Sequence, residues 1–207
     1  MRPWLMLLVV ICLALGGCSG LQPASTVNDP ASFEREEDAK QVIQDTVSKA
    51  IAALRDQDEQ ALASLTHPKE GVLFSPYAYV EPKKQITFQS EDWAGAFTDQ
   101  TRKAWGHYAG SGEPIELTFA EYYNKFVYDH PYSEAEHISY NRTMGKGTTT
   151  NNLFELYPPE QHITVEYHFP GFQKELEGMD WASLRLVFSE VEGSWYLTAI
   201  CHDQWTI

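Results

Sequence analysis

Asp203 is the residue of this sequence best placed to do chemistry. The alternation of Trp195, Leu197, Ala199 and Cys201 puts Asp203 on the same inward strand face. An ionised carboxylate there is costly without partners, which makes it a candidate general base. The simpler reading, and the favoured one, is that Asp203 lies past the buried stretch and caps a loop. His202 forms no dyad with it, because neighbours on a strand point to opposite faces. His162, Glu166 and His168 share another strand face at spacings that could supply zinc ligands. Alternate side chains on one strand stand about 7 Å apart and roughly parallel, so a solvated face with Glu166 near Arg185 is preferred to a metal site. Cys201 reads as a small core residue rather than a nucleophile. Gly145-Lys146-Gly147-Thr148 lacks the spacing of a phosphate loop and the apolar helix that follows one. The sequence holds no nucleophile elbow, no H-E-x-x-H and no dinucleotide fingerprint. No catalytic set is complete, and neither a metal nor a cofactor is expected.

The elements that must carry these residues are legible in the hydrophobic pattern. Asn28-Asp29-Pro30 offers a helix start, with Glu34, Glu36 and Glu37 near the positive end of the dipole. Val42, Ile43, Val47, Ala50, Ile51 and Leu54 form one stripe on a helix of about six turns. Arg55-Asp56-Gln57-Asp58 breaks it, and a short second helix with Leu62 and Leu65 ends at His67-Pro68. Residues 72–80 and 86–88 look like strands, with Pro76 calling for an edge or a bulge. Residues 91–105 are expected to be helical in part, and Gly110-Ser111-Gly112 to be a turn. Thr118 and Glu121 form a capping box that opens a helix running to about Phe126. Residues 145–152 form a polar loop, and residues 162–169 a half-buried strand. A turn at Glu192-Gly193 then pairs Phe188 with Leu197, Leu186 with Ala199 and Leu184 with Cys201, matching every apolar face. Helices first and strands after predict an α+β fold, with N-terminal helices packed on a curved, mainly antiparallel sheet.

The composition excludes several classes. The 207 residues carry 15 Lys+Arg against 29 Asp+Glu, a formal charge of −14. No nucleic-acid partner is expected, since binding phosphates needs a basic patch, and electrostatic attachment to anionic lipid is equally disfavoured. At the N-terminus, Met1-Arg2-Pro3 precedes an apolar run from Trp4 to Leu15 and then Gly16-Gly17-Cys18. That order describes a secretory signal too short to span a bilayer. Leu15-Gly16-Gly17-Cys18 resembles the lipobox of bacterial lipoproteins, which implies cleavage before Cys18 and acylation of its sulfur. Residues 1–17 are then signal peptide, 18–32 lipidated cysteine and flexible tether, and 33–207 one globular domain. Processing and acylation leave Cys201 as the sole free thiol, so no internal disulfide is expected. Two or three acyl chains would hold the domain at a bacterial cell or outer membrane, outside the cytoplasm.

A second resemblance concerns the domain. Ile51 to Leu62, Leu65-Thr66-His67-Pro68, Gly71-Val72 and the terminal Gly193-Ser194-Trp195-Tyr196-Leu197 are similar to the nuclear transport factor 2-like superfamily. This is the cone-shaped fold of ketosteroid isomerase, SnoaL-type cyclases and many non-enzymatic binding domains. More narrowly, Ser75 to Val80, Gly178-Met179-Asp180-Trp181 and His202-Asp203-Gln204-Trp205 resemble a bacterial lipoprotein family that brings no activity with it. The cone implies a pocket, for which Tyr77, Tyr79, Trp105, Tyr108 and Trp181 are candidate lining residues able to stack on glycans or small apolar ligands. The expectation is an envelope lipoprotein, anchored in the lipid bilayer through Cys18, whose domain binds a small ligand or an envelope protein without catalysis. The alternative is an isomerase- or hydrolase-type enzyme using Asp203 in an aromatic pocket.

Overall fold

The computed structural model describes Phe33 and residues 35–206. The signal, Cys18 and the tether all lie outside the described residues. Helix α1 (Glu36–Asp56) buries Ala39, Ile43, Val47, Ala50, Ile51 and Leu54, the stripe expected from the pattern. Its first turn carries Glu36, Glu37 and Asp38 at the positive end of the dipole. It begins at Glu36, after an extended Arg35, and not at Asn28 as expected; residues 28–32 themselves lie outside the described residues. Gln57, at φ 51°, closes it in the left-handed region. Helix α2 (Glu59–Leu65) starts from Asp58, whose side chain accepts from the Ala61 amide.

The strands form one sheet of six and a separate ribbon of two. In the large sheet, β1 (Val72–Ser75) pairs antiparallel with β2 (Thr87–Phe88) and parallel with the last strand. The ribbon is β3 (Lys103–His107) with β4 (Pro114–Leu117), joined through the expected turn at Gly110 to Gly112. Helix α3 (Phe119–Phe126) follows with its capping box formed: Thr118 Oγ1 accepts from the Glu121 amide and the Glu121 carboxylate from the Thr118 amide. Strand β5 (His137–Tyr140), the single-turn helix α4 (Leu153–Leu156), and strands β6 (His162–Phe169), β7 (Ala182–Val191) and β8 (Ser194–Gln204) complete the chain. The order is β2-β1-β8-β7-β6-β5, antiparallel throughout except β1 with β8. The architecture is α+β, with α1, α2 and α3 packed against one face of a curved, mainly antiparallel sheet and the single turn α4 on the other.

Four local expectations need correction. Strand β1 is interior, not an edge, and Pro76 is accommodated because the strand stops at Ser75. Residues 91–105 are not helical beyond one 3-10 turn at Ser90–Trp93, and Lys103 to Trp105 are strand. Trp105 decides this, stacking at 4.0 Å and 16° on Tyr122 of α3. The far face of β6 is not solvated: Thr164, Glu166 and His168 are all buried. Segment 144–157 covers that face, laying Gly145 against Trp181 and Ser183, and Leu153 against Val187, Ala199 and Cys201. Finally, the hairpin turn is as expected, with positive φ at Glu192 (52°) and Gly193 (81°) as a type I′ turn requires. The pairing of Phe188 with Leu197 also holds, but a bulge at Thr198 then shifts the register by one, so Val187 faces Ala199 and Arg185 faces Cys201.

That bulge divides the strand between two cores. Leu197 and Ile200 join the main core, where Leu184, Leu186 and Phe188 meet α1, α3 and the ring cluster of Phe74, Phe88, Trp93, Trp105 and Phe119. Ala199 and Cys201 turn to the opposite face, in a smaller cluster with Leu73, Val80, Leu153 and Val187.

Candidate functional site

Three charged side chains lie buried on that opposite face. Register places Glu166 opposite Arg185, and Ser183 between His168 and Asp203. Arg185 Nη2 donates to Glu166 Oε1 at 3.1 Å and to the Gly145 carbonyl at 3.1 Å. Arg185 Nη1 stands 2.8 Å from Asp203 Oδ2, an ion pair whose angles fall outside hydrogen-bond geometry. The amides of Met144 and Gly145 each donate to the Glu166 carboxylate at 2.8 Å. Burial pushes the Glu166 carboxyl up, but the charge and hydrogen bond of Arg185, with Ser183 and the Met144 amide, outweigh it and hold the group below its ordinary range. Asp203 differs. Burial raises its carboxyl, and Arg185 offsets only part of that.

On the inner side, at the end of β8, His202 is fully buried with Nε2 3.2 Å from Asp129 Oδ2. Asp129 Oδ1 accepts from the Tyr132 hydroxyl at 2.9 Å. Burial raises the Asp129 carboxyl, and His202, His130 and Tyr132 together bring it below the ordinary range. His202 and Asp203 do point to opposite faces, as expected, and each has its own partner.

Beside this pair, at the same end of the sheet, lies a cleft of about 360 Å3. Its walls are His130, Phe172, Trp181 and Trp205, completed by Met179, Asp180 and two glutamines, Gln173 and Gln204. Phe172 stacks on His130 at 4.2 Å and 22°. Phe172, Met179 and Trp205 are 45%, 49% and 39% exposed around its rim. Asp180 fixes the near wall, its Oδ2 accepting from the amides of Phe172 at 3.0 Å and Gln173 at 2.7 Å. Gly171 and Gly178 permit that turn: a side chain on Gly171 would meet Asp180 at 3.0 Å, and Gly178 sits at φ 81°.

The residues singled out from sequence are dispersed. Trp181 lines the cleft and is 7% exposed. Trp105 is wholly buried in the aromatic core. Tyr77 packs edge-on against Phe126, Tyr108 lies under Lys125 at 4.4 Å, and Tyr79 is exposed. Asp203 is 2% exposed, is held by Arg185 and is not part of the cleft wall, so the loop-capping reading fails. Glu166 is near Arg185 as expected, and the described residues hold no cluster of three His, Cys, Asp or Glu able to bind a metal. Sequence reasoning missed His130, Phe172 and Trp205. The signal available was Pro170-Gly171-Phe172 and Gly178-Met179-Asp180, two turn-forming stretches that put apolar side chains outside the strands.

No protein-family model matches the chain, and no curated protein matches it. Among solved structures, a chain named Rd1NTF2_05 with five substitutions is similar at 12% identity and a TM-score of 0.30, over 79% of this chain and 98% of that one. A chain described as a calcium/calmodulin dependent protein kinase II association domain from Xanthomonas campestris is similar at 12% identity and a TM-score of 0.33, over 82% of this chain and 88% of that one. Among the described residues no helix is long and apolar enough to cross a membrane.

Proposed function

We propose that this chain is a lipid-anchored bacterial envelope lipoprotein whose domain, of the nuclear transport factor 2-like type, binds a small ligand without transforming it. The anchor rests on the run from Met1 to Cys18, and the domain type on the N-terminal helix pair laid on a curved sheet that ends in a long hairpin. The observation that carries the binding reading is the cleft, where Phe172, Met179 and Trp205 are held in water around a cavity walled by aromatic rings. Exposed apolar side chains grouped at a concavity mark a ligand site. Asp203 supports catalysis less well, since its carboxylate is committed to Arg185 and does not reach the cleft wall.

Two measurements test this reading. Mass spectrometry of the chain from a bacterial host is expected to show acylation at Cys18, lost together with membrane association in Cys18→Ala; an unacylated wild-type chain overturns the anchor. A small-molecule library screened by the indole N–H resonances of the full chain in non-ionic detergent is expected to perturb Trp181 and Trp205. Hits that map elsewhere, or none at all, overturn the cleft.

A further inference from the structure

The chemistry of the cleft narrows its ligand, an inference that rests on the cleft being the binding site. Three aromatic residues, Phe172, Trp181 and Trp205, share the walls with the thioether of Met179. The face of an aromatic ring is the negative pole of its quadrupole, so such walls attract a cation as well as apolar surface. The formal charge in the lining is Asp180, and no Lys or Arg is among these described wall residues. Asp180 Oδ2 serves the amides of Phe172 and Gln173, while Oδ1 is buried with no hydrogen-bond partner among the described residues. The carboxylate is therefore under-compensated at a wall of the cleft, in a chain whose formal charge is −14. A ligand anion would meet this charge with no side-chain cation to answer it. A neutral apolar ligand would gain area and leave the carboxylate as it stands. An ammonium group carrying methyl groups suits this lining: its methyls lie against the rings and Met179, and its charge is drawn to the ring faces and, through space rather than by contact, to the Asp180 carboxylate, whose Oδ1 is buried beside Gly171.

We propose that the cleft binds an alkylated ammonium cation. The group can come from a free small molecule or from a phosphate-bearing head group, and the absence of Lys and Arg from the described lining favours the free form.

The test uses the full chain in a non-ionic detergent, reading the Trp205 indole resonance, identified by its loss in Trp205→Phe. Tetramethylammonium and choline are expected to shift it saturably. Phosphocholine, and 3,3-dimethylbutanol as the neutral isostere of choline, are expected to bind roughly tenfold more weakly or worse. Choline affinity is expected to fall roughly tenfold in Trp205→Ala, an exposed position where the Trp181 indole of the same wall is read instead, and in Asp180→Asn, which keeps an acceptor for the turn amides. If the isostere binds as tightly as choline, or Asp180→Asn has no effect, the cation assignment is overturned while the cleft stands. If the ammonium probes leave Trp205 unmoved while the library gives cleft ligands, the assignment is again overturned and the cleft survives. Silence in both experiments removes both.

Discussion

Glu166 Oε1 and Arg185 Nη2 lie 3.1 Å apart on adjacent strands, in side chains 0% and 1% exposed. A buried ion pair is poor evidence for stability by itself, because desolvation consumes most of the attraction. Here it has a structural reason. Segment 144–157 crosses this sheet face, and its backbone polar groups need partners once water is excluded. The Glu166 carboxylate accepts from the Met144 and Gly145 amides, and Arg185 donates to the Gly145 carbonyl. The charges thus compensate one another and the loop that buries them.

Removing the guanidinium leaves Glu166 and Asp203 as buried like charges. Arg185→Met is expected to lose about 3–5 kcal/mol of stability, the usual cost of breaking a buried pair from one side. Urea unfolding followed by circular dichroism measures it. In Arg185→Met combined with Glu166→Gln the loss is expected to be less than the sum of the single changes, because the two residues are in contact. Strict additivity would mean that the pair is not coupled.

This cluster, together with Asp129 on the inner side, sets the acid limb of stability. Glu166 and Asp129 are held below their ordinary values of 4.5 and 3.8. Each therefore adds stability that is complete above the ordinary value and lost as pH falls through the lower folded one. Asp203 is raised above 3.8 and acts with the opposite sign: it opposes folding at neutral pH and is relieved as pH falls through its folded value. The deficit of Glu166→Gln against the wild type is expected to shrink between pH 7 and the acid limb. The deficit of Asp203→Asn is expected to grow over the same range. Unfolding at stepped pH reads both, and parallel curves would refute the assignment.

Much of this was legible in the sequence, and the failures have identifiable causes. Helix α1 and the capping box of α3 follow from periodicity and local hydrogen bonding, which neighbouring residues specify unaided. The register of β8 does not, because strand alternation carries no mark of an extra residue. Thr198 supplies one: it is buried, its hydroxyl donates to Ser189 at 2.8 Å, and beyond it each side chain changes face. Asp203, placed by parity with Leu197, consequently belongs with Arg185. The cleft was hidden for another reason. It is assembled from His130, the turns around Gly171 and Gly178, and the end of β8, which are far apart in sequence and share no period.

The bulge makes a counterintuitive deletion tolerable. Removing Thr198 brings Leu197 and Ala199 together opposite the consecutive residues Phe188 and Val187, leaving Leu197 inward, Ala199 outward and Ile200 inward. The variant is expected to unfold cooperatively and to keep Cys201 buried, a thiol that burial pushes up to about 12. Carried in a chain with Cys12 and Cys18 replaced by Ala, it should resist a disulfide reagent until denatured. Inserting a second residue after Thr198 flips residues 199–204 against both cores and should expose that thiol. Rapid labelling of the native deletion variant would contradict the bulge.

Two adjacent tyrosines of α3 offer a test of how the aromatic core is filled. Tyr123 donates its hydroxyl to the Leu54 carbonyl at the end of α1. Tyr122 is fully buried against Trp105, and its hydroxyl has no hydrogen-bond partner among the described residues. A satisfied buried hydroxyl contributes about 1 kcal/mol net, whereas an unsatisfied one costs about 1–3 kcal/mol of desolvation. Tyr123→Phe is therefore expected to destabilise by about 1 kcal/mol, because it removes one of two donors to the Leu54 carbonyl, which keeps the Gln57 amide. Tyr122→Phe keeps the ring stacked on Trp105 and is expected to stabilise by about 1 kcal/mol. The two substitutions delete the same atom from neighbouring residues, so side-chain size and helix propensity cancel between them. Thermal unfolding of the pair reads the difference directly. Equal effects would mean that the hydroxyl of Tyr122 is satisfied in solution.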